Sequence, residues 1–272
     1  MSVRAENDYV QRFGGIARLY GSTGAERLRA AHVCVIGVGG VGSWAVEALA
    51  RSGIGALTLV DLDEVCVSNV NRQLPALTSE VGKAKVQVLK ERVGGINAEC
   101  QVRVAEEFLT SSNAAEILSS GFDCVLDGID DVGNKALLLA ECVRRRIPVV
   151  SAGGAGGRRD PTAIRVADLA FTSHDRLLQR VRKLLRTDYG FPEDPKMAFG
   201  IPCVYSTELP VFPQSDGTVC ATRGDATELR MNCNSGYGSA TFVTGAFGFA
   251  ASAEVVRLIA TDRPATGSDN RR

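Results

Sequence analysis

In the run GVGGVG, Gly37, Gly39 and Gly42 satisfy the pattern G-x-G-x-x-G, with Gly40 among them. Glycines so spaced allow a tight turn and a close approach of backbone N–H groups to phosphate, while the following helix points its positive end at the anion. Asp61 ends the next apolar run about twenty residues on, where a carboxylate accepts ribose hydroxyls. A nucleotide site follows, with a redox dinucleotide as the default ligand. The next residues, DLDEVCVSNVNRQ, argue otherwise. Asp63, Asn69, Arg72 and Gln73, followed by Lys83 and Lys85, concentrate more polar and cationic groups than a pyrophosphate bridge between two nucleosides needs. They suit a triphosphate whose charge is neutralised while its α-phosphate is attacked. Either lysine alone fits a solvated helix face better. In LDGIDDVGNK, Asp127 and Asp130 fall at the carboxyl end of another strand, the edge where open α/β sheets bind ligands. Asp130 is the candidate for holding Mg²⁺ on the triphosphate. Its competing role is the N-cap of the helix that follows, for which Asp131 is equally placed.

The elements that must position these groups alternate along the first half. Strands at 32–37, 56–61, 100–105, 122–127 and 147–152 are separated by helices at 41–52, 81–93, 112–119 and 132–146, after two short helices over 7–30. This rhythm predicts an α/β fold, a doubly wound and mainly parallel sheet covered on both faces. The nucleotide-binding core spans 31–152. A substrate-binding and C-terminal elaboration spans 153–260, and a polar tail, 261–272, is expected to be disordered, all within one domain. A strand at 162–168 precedes the basic helical stretch HDRLLQRVRKLLRTDYG; 190–236 allows no assignment. The apolar stretch 238–260 has the length of a membrane span. Its Gly, Ala, Ser and Thr content favours a buried, closely packed helix over membrane association.

Composition narrows the chemistry. With only His32 and His174, triads and metal clusters built on several histidines are excluded. None of the eight cysteines stands in a C-x-x-C pair, which argues against structural zinc. Scattered thiols in apolar runs fit a reducing cytoplasm, and the N-terminus lacks the apolar core of a signal peptide. Formal net charge is zero, so any nucleic-acid contact needs a local basic patch. Arg176, Arg180, Arg182, Lys183 and Arg186 supply one along a helix whose leucines turn inward. Arg144–Arg146 and Arg158–Arg159 add charge, and an ordinary amphipathic helix explains the pattern as well.

Taken together, GVGGVGSWAVEALARSGIG, DLDEVCVSNVNRQ, VGKAK and DGIDDVGNK resemble the ubiquitin-activating-like adenylyltransferases, which use ATP to convert a carboxylate into an acyl-adenylate. The resemblance implies that Gly39 and its neighbours line the phosphates, Asp61 binds the ribose, Arg72 and Lys85 hold the phosphates and Asp130 serves the metal. Within that superfamily, RFGGIARLYG, VSAGGAGGRRDPT, VYSTELPVFPQSDGTVC and RMNCNSGYGSATFVTGAFGF are similar to the bacterial tRNA threonylcarbamoyladenosine dehydratases. The missing C-x-x-C pairs separate the chain from the alternative, enzymes that adenylate a ubiquitin-like sulfur carrier. The implied reaction is ATP-dependent cyclisation of N6-threonylcarbamoyladenosine beside the tRNA anticodon, by a homodimer, with a sulfur-transfer protein as a further candidate partner. Cys233 invites comparison with the thioester cysteine of ubiquitin-activating enzymes, but ring closure does not demand a covalent step.

Overall fold

The run HVCVI forms β1 (His32–Ile36). Val33 and Val35 face one helical layer, while Cys34 and Ile36 face the other. Burial on both faces is why the strand reads as continuously apolar. The structure is a computed structural model describing residues 3–214, 216–221 and 237–261. Seven strands make the main sheet, in the order β3 (Gln101–Ala105), β2 (Ala56–Val60), β1, β4 (Cys124–Asp127), β5 (Val149–Ala152), β7 (Pro202–Ser206) and β6 (Ile164–Asp168). All neighbours are parallel except the edge pair β6 and β7. The chain builds outward from β1 in one direction through β2 and β3, then returns to β4 on the other side. This reversal makes a crevice at the carboxyl ends of β1 and β4.

On one face, α1 (Val3–Ala30), α2 (Gly42–Arg51), α3 (Lys85–Ile96) and α7 (Thr241–Ala260) share a core that includes Leu28, Leu49, Leu89 and Phe247. On the other, α4 (Ala114–Ile117), α5 (Val132–Arg145) and α6 (Arg176–Tyr189) cover Val125 and Ile36 with Ile117, Leu139 and Val181. The helical segment α1 is interrupted at Gly21, whose φ of +75° breaks the run into the two pieces that the sequence predicts.

Two expectations change. The helix predicted over 81–93 starts only at Lys85, because Val65 N–H bonds the Lys83 carbonyl at 2.8 Å and Gly82 N–H bonds the Val65 carbonyl at 2.9 Å. Those bonds hold 81–84 in a turn against the chain after β2, with Gly82 at a φ of +86° and Ala84 bridged to Glu64. The unassigned region 190–236 contributes β7, which joins the main sheet beside β5, so both halves of the chain share one sheet. Beyond it, β8 (Phe212–Pro213) and β9 (Val219–Cys220) form a small hairpin. The apolar helix α7 is long and apolar enough to cross a membrane, by length and composition alone. Here it packs on α1, α2 and the strands β4, β5 and β7, with Val243, Phe247, Ala251 and Val255 fully buried.

Candidate active site

The glycine turn is forced by contacts as well as by conformation. Gly37 has φ of +83°, and a Cβ on it would come within 2.8 Å of Gly128 backbone atoms. A Cβ on Gly42 would lie 1.9 Å from the Gly37 carbonyl oxygen, which no side chain can relieve. The turn delivers the chain into α2, which has no capping side chain and no acidic residue in its first turn. By contrast, Asp131 caps α5, accepting from Asn134 N–H, and Asp175 caps α6, accepting from Leu178 N–H. No side chain thus occupies the amino end of α2, where an anion would sit, although the Ser43 N–H is already taken by the Gly39 carbonyl at 3.1 Å.

Asp61, just beyond β2, accepts from Val38 N–H at 2.8 Å and from Asp63 N–H at 2.9 Å. Its carboxylate thus ties the second strand to the glycine turn. Burial raises its pKa above the ordinary carboxylate value, opposed by those N–H groups and by the Lys85 ammonium. Asp63 in turn holds Lys85, Nζ to Oδ2 at 2.8 Å, with the lysine buried and the carboxylate half exposed. Lys83 turns away to Glu80 at 2.9 Å on the surface. Of the two lysines, only Lys85 is built into the site.

Residues 67–73 form a short 3₁₀ turn and bend. Asn69 is buried and its Oδ1 accepts from Cys66 N–H at 3.1 Å, so it shapes the turn. Arg72 reaches across Gly40: its Cδ lies 4.0 Å from where a Cβ of that glycine would be. One guanidinium nitrogen, Nη1, donates to the Ser68 carbonyl and to Asn71 Oδ1. Gln73 lies beside Gly39, only 9% exposed, and its Oε1 has no hydrogen-bond partner among the described residues. An orphaned amide oxygen at a glycine cradle fits a site that a polar ligand completes.

At the carboxyl end of β4 the two aspartates take separate roles. Asp127 is fully buried, ion-paired with the equally buried Lys135 at 2.8 Å, and accepts from Ser151 Oγ at 2.7 Å. Asp130 is exposed in the turn that follows, and the cap falls to Asp131. Because Gly128 packs on Gly37, that turn borders the glycine loop. Asp130 is thus a carboxylate outside the packing, on the nucleotide side, and hard-cation chemistry suits it. Sequence reasoning missed Lys135. Its signal was a lysine on the apolar stripe of α5, in line with Leu138, Leu139 and Cys142. Ser43, Trp44 and Thr244 were also missed; no nucleotide motif contains them in a recognisable role.

The basic helix divides. Arg176, Arg180 and Lys183 are exposed, the first with its guanidinium 5.2 Å from the Phe212 ring centre. Arg182 donates to Thr172 Oγ1, and burial lowers its pKa. Arg186 donates to the Pro192 carbonyl at 3.0 Å and stacks on Phe199. Arg158, expected to add surface charge, is 4% exposed and donates to the His174 carbonyl. Arg144 and Arg145 pair with Glu141. Cys233 and residues 262–272 lie outside the described residues.

A reversing parallel sheet with a glycine turn, an uncapped helix end and flanking Arg72 and Lys85 defines a nucleotide-binding α/β protein suited to a phosphate-rich ligand. The chain belongs to the ThiF family, whose model matches residues 14–271. It is 51% identical over 258 residues to the tRNA threonylcarbamoyladenosine dehydratase of Escherichia coli (strain K12), covering 94% of this chain and 96% of that protein. The crystal structure of E. coli tRNA N6-threonylcarbamoyladenosine dehydratase in complex with ATP is similar at a TM-score of 0.82 and 46% identity, covering 92% of this chain and 94% of that one. The complex with AMP gives a TM-score of 0.82 at 48% identity with the same coverage.

Proposed function

We propose that this protein is an ATP-dependent tRNA threonylcarbamoyladenosine dehydratase. The observation that carries the reading is the uncapped α2 end and glycine turn flanked by Asp61, Arg72, Lys85 and Asp130, on a chain similar over nearly its whole length to an enzyme of that name. The α2 N–H groups, Arg72 and Lys85 hold the triphosphate, and Asp61 receives the ribose. Asp130 is the residue that would hold Mg²⁺, which when bound neutralises phosphate charge. The threonyl carboxylate attacks the α-phosphorus, forming a mixed anhydride with AMP and releasing pyrophosphate. The ureido nitrogen of the same modification then attacks the activated carbonyl; the C–O bond to AMP breaks, the nitrogen loses its proton and a ring closes. The net change in the nucleoside is loss of one water.

The tRNA meets the exposed cations Arg176, Arg180 and Lys183, whose phosphate contacts give affinity rather than base reading. A homodimer and a sulfur-transfer partner belong to the same reading. Free thiols at Cys34, Cys66, Cys100, Cys142 and Cys203 suit a cytoplasmic setting. The test is mass analysis of modified tRNA incubated with the protein, ATP and Mg²⁺. Loss of one water from the modified nucleoside, abolished in Lys85→Ala, supports the proposal; an unchanged nucleoside refutes it.

A further inference from the structure

Arg72 belongs to the motif that faces the nucleotide, but its backbone is held by residues far away in sequence. Its carbonyl oxygen accepts two hydrogen bonds, from Trp44 Nε1 on α2 at 3.0 Å and from Thr244 Oγ1 on α7 at 2.9 Å. The Thr244 hydroxyl has one proton and three nearby carbonyls. Those of Thr241 and Ala240 stand farther off, at 3.3 and 3.4 Å, so the proton goes to Arg72. Thr244 is 2% exposed. Its Cγ2 lies 3.2 Å from where a Cβ of Gly40 would be, so its methyl and the Arg72 stem cover the same glycine. The start of α7 and the residues just before it add two ties to the same segment: Thr241 Oγ1 donates to the Asn71 carbonyl at 2.6 Å, and Asn71 Nδ2 donates to the Ser239 carbonyl at 2.8 Å.

This framework cannot drift. Where α7 crosses α2, a Cβ on Gly248 would sit 2.6 Å from the Val41 carbonyl and 2.9 Å from the Ala45 nitrogen, so the helices touch backbone to backbone. Ser252 Oγ sits at the same crossing, 2.8 Å from the Gly248 carbonyl of its own helix, to which its proton goes, and 3.1 Å from the Ala45 carbonyl of α2. The orientation of the Arg72 carbonyl fixes its peptide plane and with it the direction in which the side chain leaves. We infer that Thr244, assisted by Trp44, is a positioning residue that aims Arg72 over Gly40 at the outer phosphates of ATP. The outer phosphates are specified by order along the loop. Asp61, the ribose-side group, binds Val38 N–H at the start of the glycine turn, while Arg72 crosses farther along it at Gly40. The inference rests on the adenylation reading proposed above.

The test measures ATP and AMP affinities by calorimetry for the full-length wild type and for Thr244→Val, Thr244→Ser and Arg72→Ala. Thr244→Val keeps the volume and removes the donor, and thermal unfolding of each variant checks the fold. Thr244→Val is expected to weaken ATP about three- to ten-fold, the scale of one neutral hydrogen bond, with AMP changed less than about two-fold. Thr244→Ser restores ATP affinity, and Arg72→Ala loses at least as much as Thr244→Val. A merely structural role would lower the unfolding temperature and leave the ratio of ATP to AMP affinity unmoved. If Arg72→Ala weakens ATP but Thr244→Val does not, or if Thr244→Val weakens both nucleotides equally, the inference fails while the adenylation reading stands. If Arg72→Ala leaves ATP affinity unchanged, Arg72 is no phosphate ligand and the inference falls, while an unchanged nucleoside in the turnover assay would overturn the adenylation reading itself.

Discussion

The buried pair Asp127–Lys135 offers the sharpest test of how the β4–α5 turn is held. Both side chains are fully buried, Nζ to Oδ2 is 2.8 Å, and Ser151 Oγ donates to the same oxygen at 2.7 Å. The other carboxylate oxygen accepts from Ile129 N–H at 3.1 Å, and Lys135 Nζ also donates to the Ile129 carbonyl at 3.0 Å. Every group of the cluster has a partner, and two of those partners are the backbone of the turn carrying Asp130. Lys135→Met fills the stem volume but leaves a carboxylate in the core with two neutral donors and no counter-charge. Breaking such a pair costs about 3–5 kcal/mol. A stability of roughly 5–15 kcal/mol makes that loss large. Removing both charges in Asp127→Asn with Lys135→Met should fall within about 1–2 kcal/mol of the wild type, since a neutral replacement escapes the desolvation cost of the ions. Urea titrations followed by far-ultraviolet circular dichroism measure both, with unchanged m-values as the check on cooperativity. Should the single variant lose less than about 1 kcal/mol, or the double variant be as unstable as the single, electrostatic pairing is not what holds this turn.

Three further outcomes follow from the geometry and a fourth from the chemistry of ring closure. Gly42→Ala, whose Cβ would lie 1.9 Å from the Gly37 carbonyl, should abolish ATP binding in calorimetry; Gly94→Ala in α3, where nothing lies within 4 Å, should instead stabilise by about 0.5–1 kcal/mol. Arg180→Ala and Lys183→Ala should each weaken tRNA binding and flatten its salt dependence by about one unit of slope without moving the unfolding temperature, whereas Arg182→Ala, tied to Thr172, should lower that temperature. Burial lowers the pKa of His32 below its ordinary 6.5, so the unfolded chain takes up a proton that the folded one refuses. Its contribution is complete above pH 6.5 and is lost as pH falls through the folded value, and His32→Gln should flatten that arm of a pH–stability profile. Cys233→Ser should retain cyclisation of modified tRNA, because ring closure balances without an enzyme thiol; loss of turnover in a folded variant would call for a thioester.

The glycine turn and Asp61 beside it were legible because each belongs to a short stretch in which residue type and spacing carry the geometry, whereas Lys85 took its role from the family resemblance and the metal role of Asp130 belongs to the proposal. The parallel sheet was legible through its buried strands, whose two-sided burial leaves unbroken apolar runs such as HVCVI. What the sequence concealed depends on pairs that meet only in three dimensions. Lys135 meets Asp127 because a helix folds back over the strand it follows. Thr244 meets Arg72 across most of the chain, and no local pattern encodes such a contact. The strand PCVYS stayed hidden because it is short and opens on proline, and only the vacant edge beside β5 decides its state. Cation counts along the basic helix misled in another way. Arg182 and Arg186 share the stripe with Arg180 and Lys183, but their long stems let them reach inward partners.

Topology also sets one of the two histidines away from the crevice. His32 opens β1 at the amino edge of the sheet, and the glycine turn follows its other end, five residues away. At about 3.3 Å per residue that is on the order of 15 Å, too far for proton transfer to a reacting group in the crevice. The groups that do line the crevice are helix N–H donors, Arg72, Lys85 and the carboxylates Asp61 and Asp130. Under the adenylation reading proposed above, these groups would manage phosphate charge. Such a site suits a reaction whose barrier lies in making a carboxylate a good electrophile, while the attacking nitrogen is supplied by the same molecule. The buried Asp127–Lys135 pair and the Thr244 bond to Arg72 then serve one requirement, since a charge-handling site gains its advantage from donors fixed before the ligand arrives. Their cost is a core that carries ions and bonded hydroxyls where apolar side chains would pack as well.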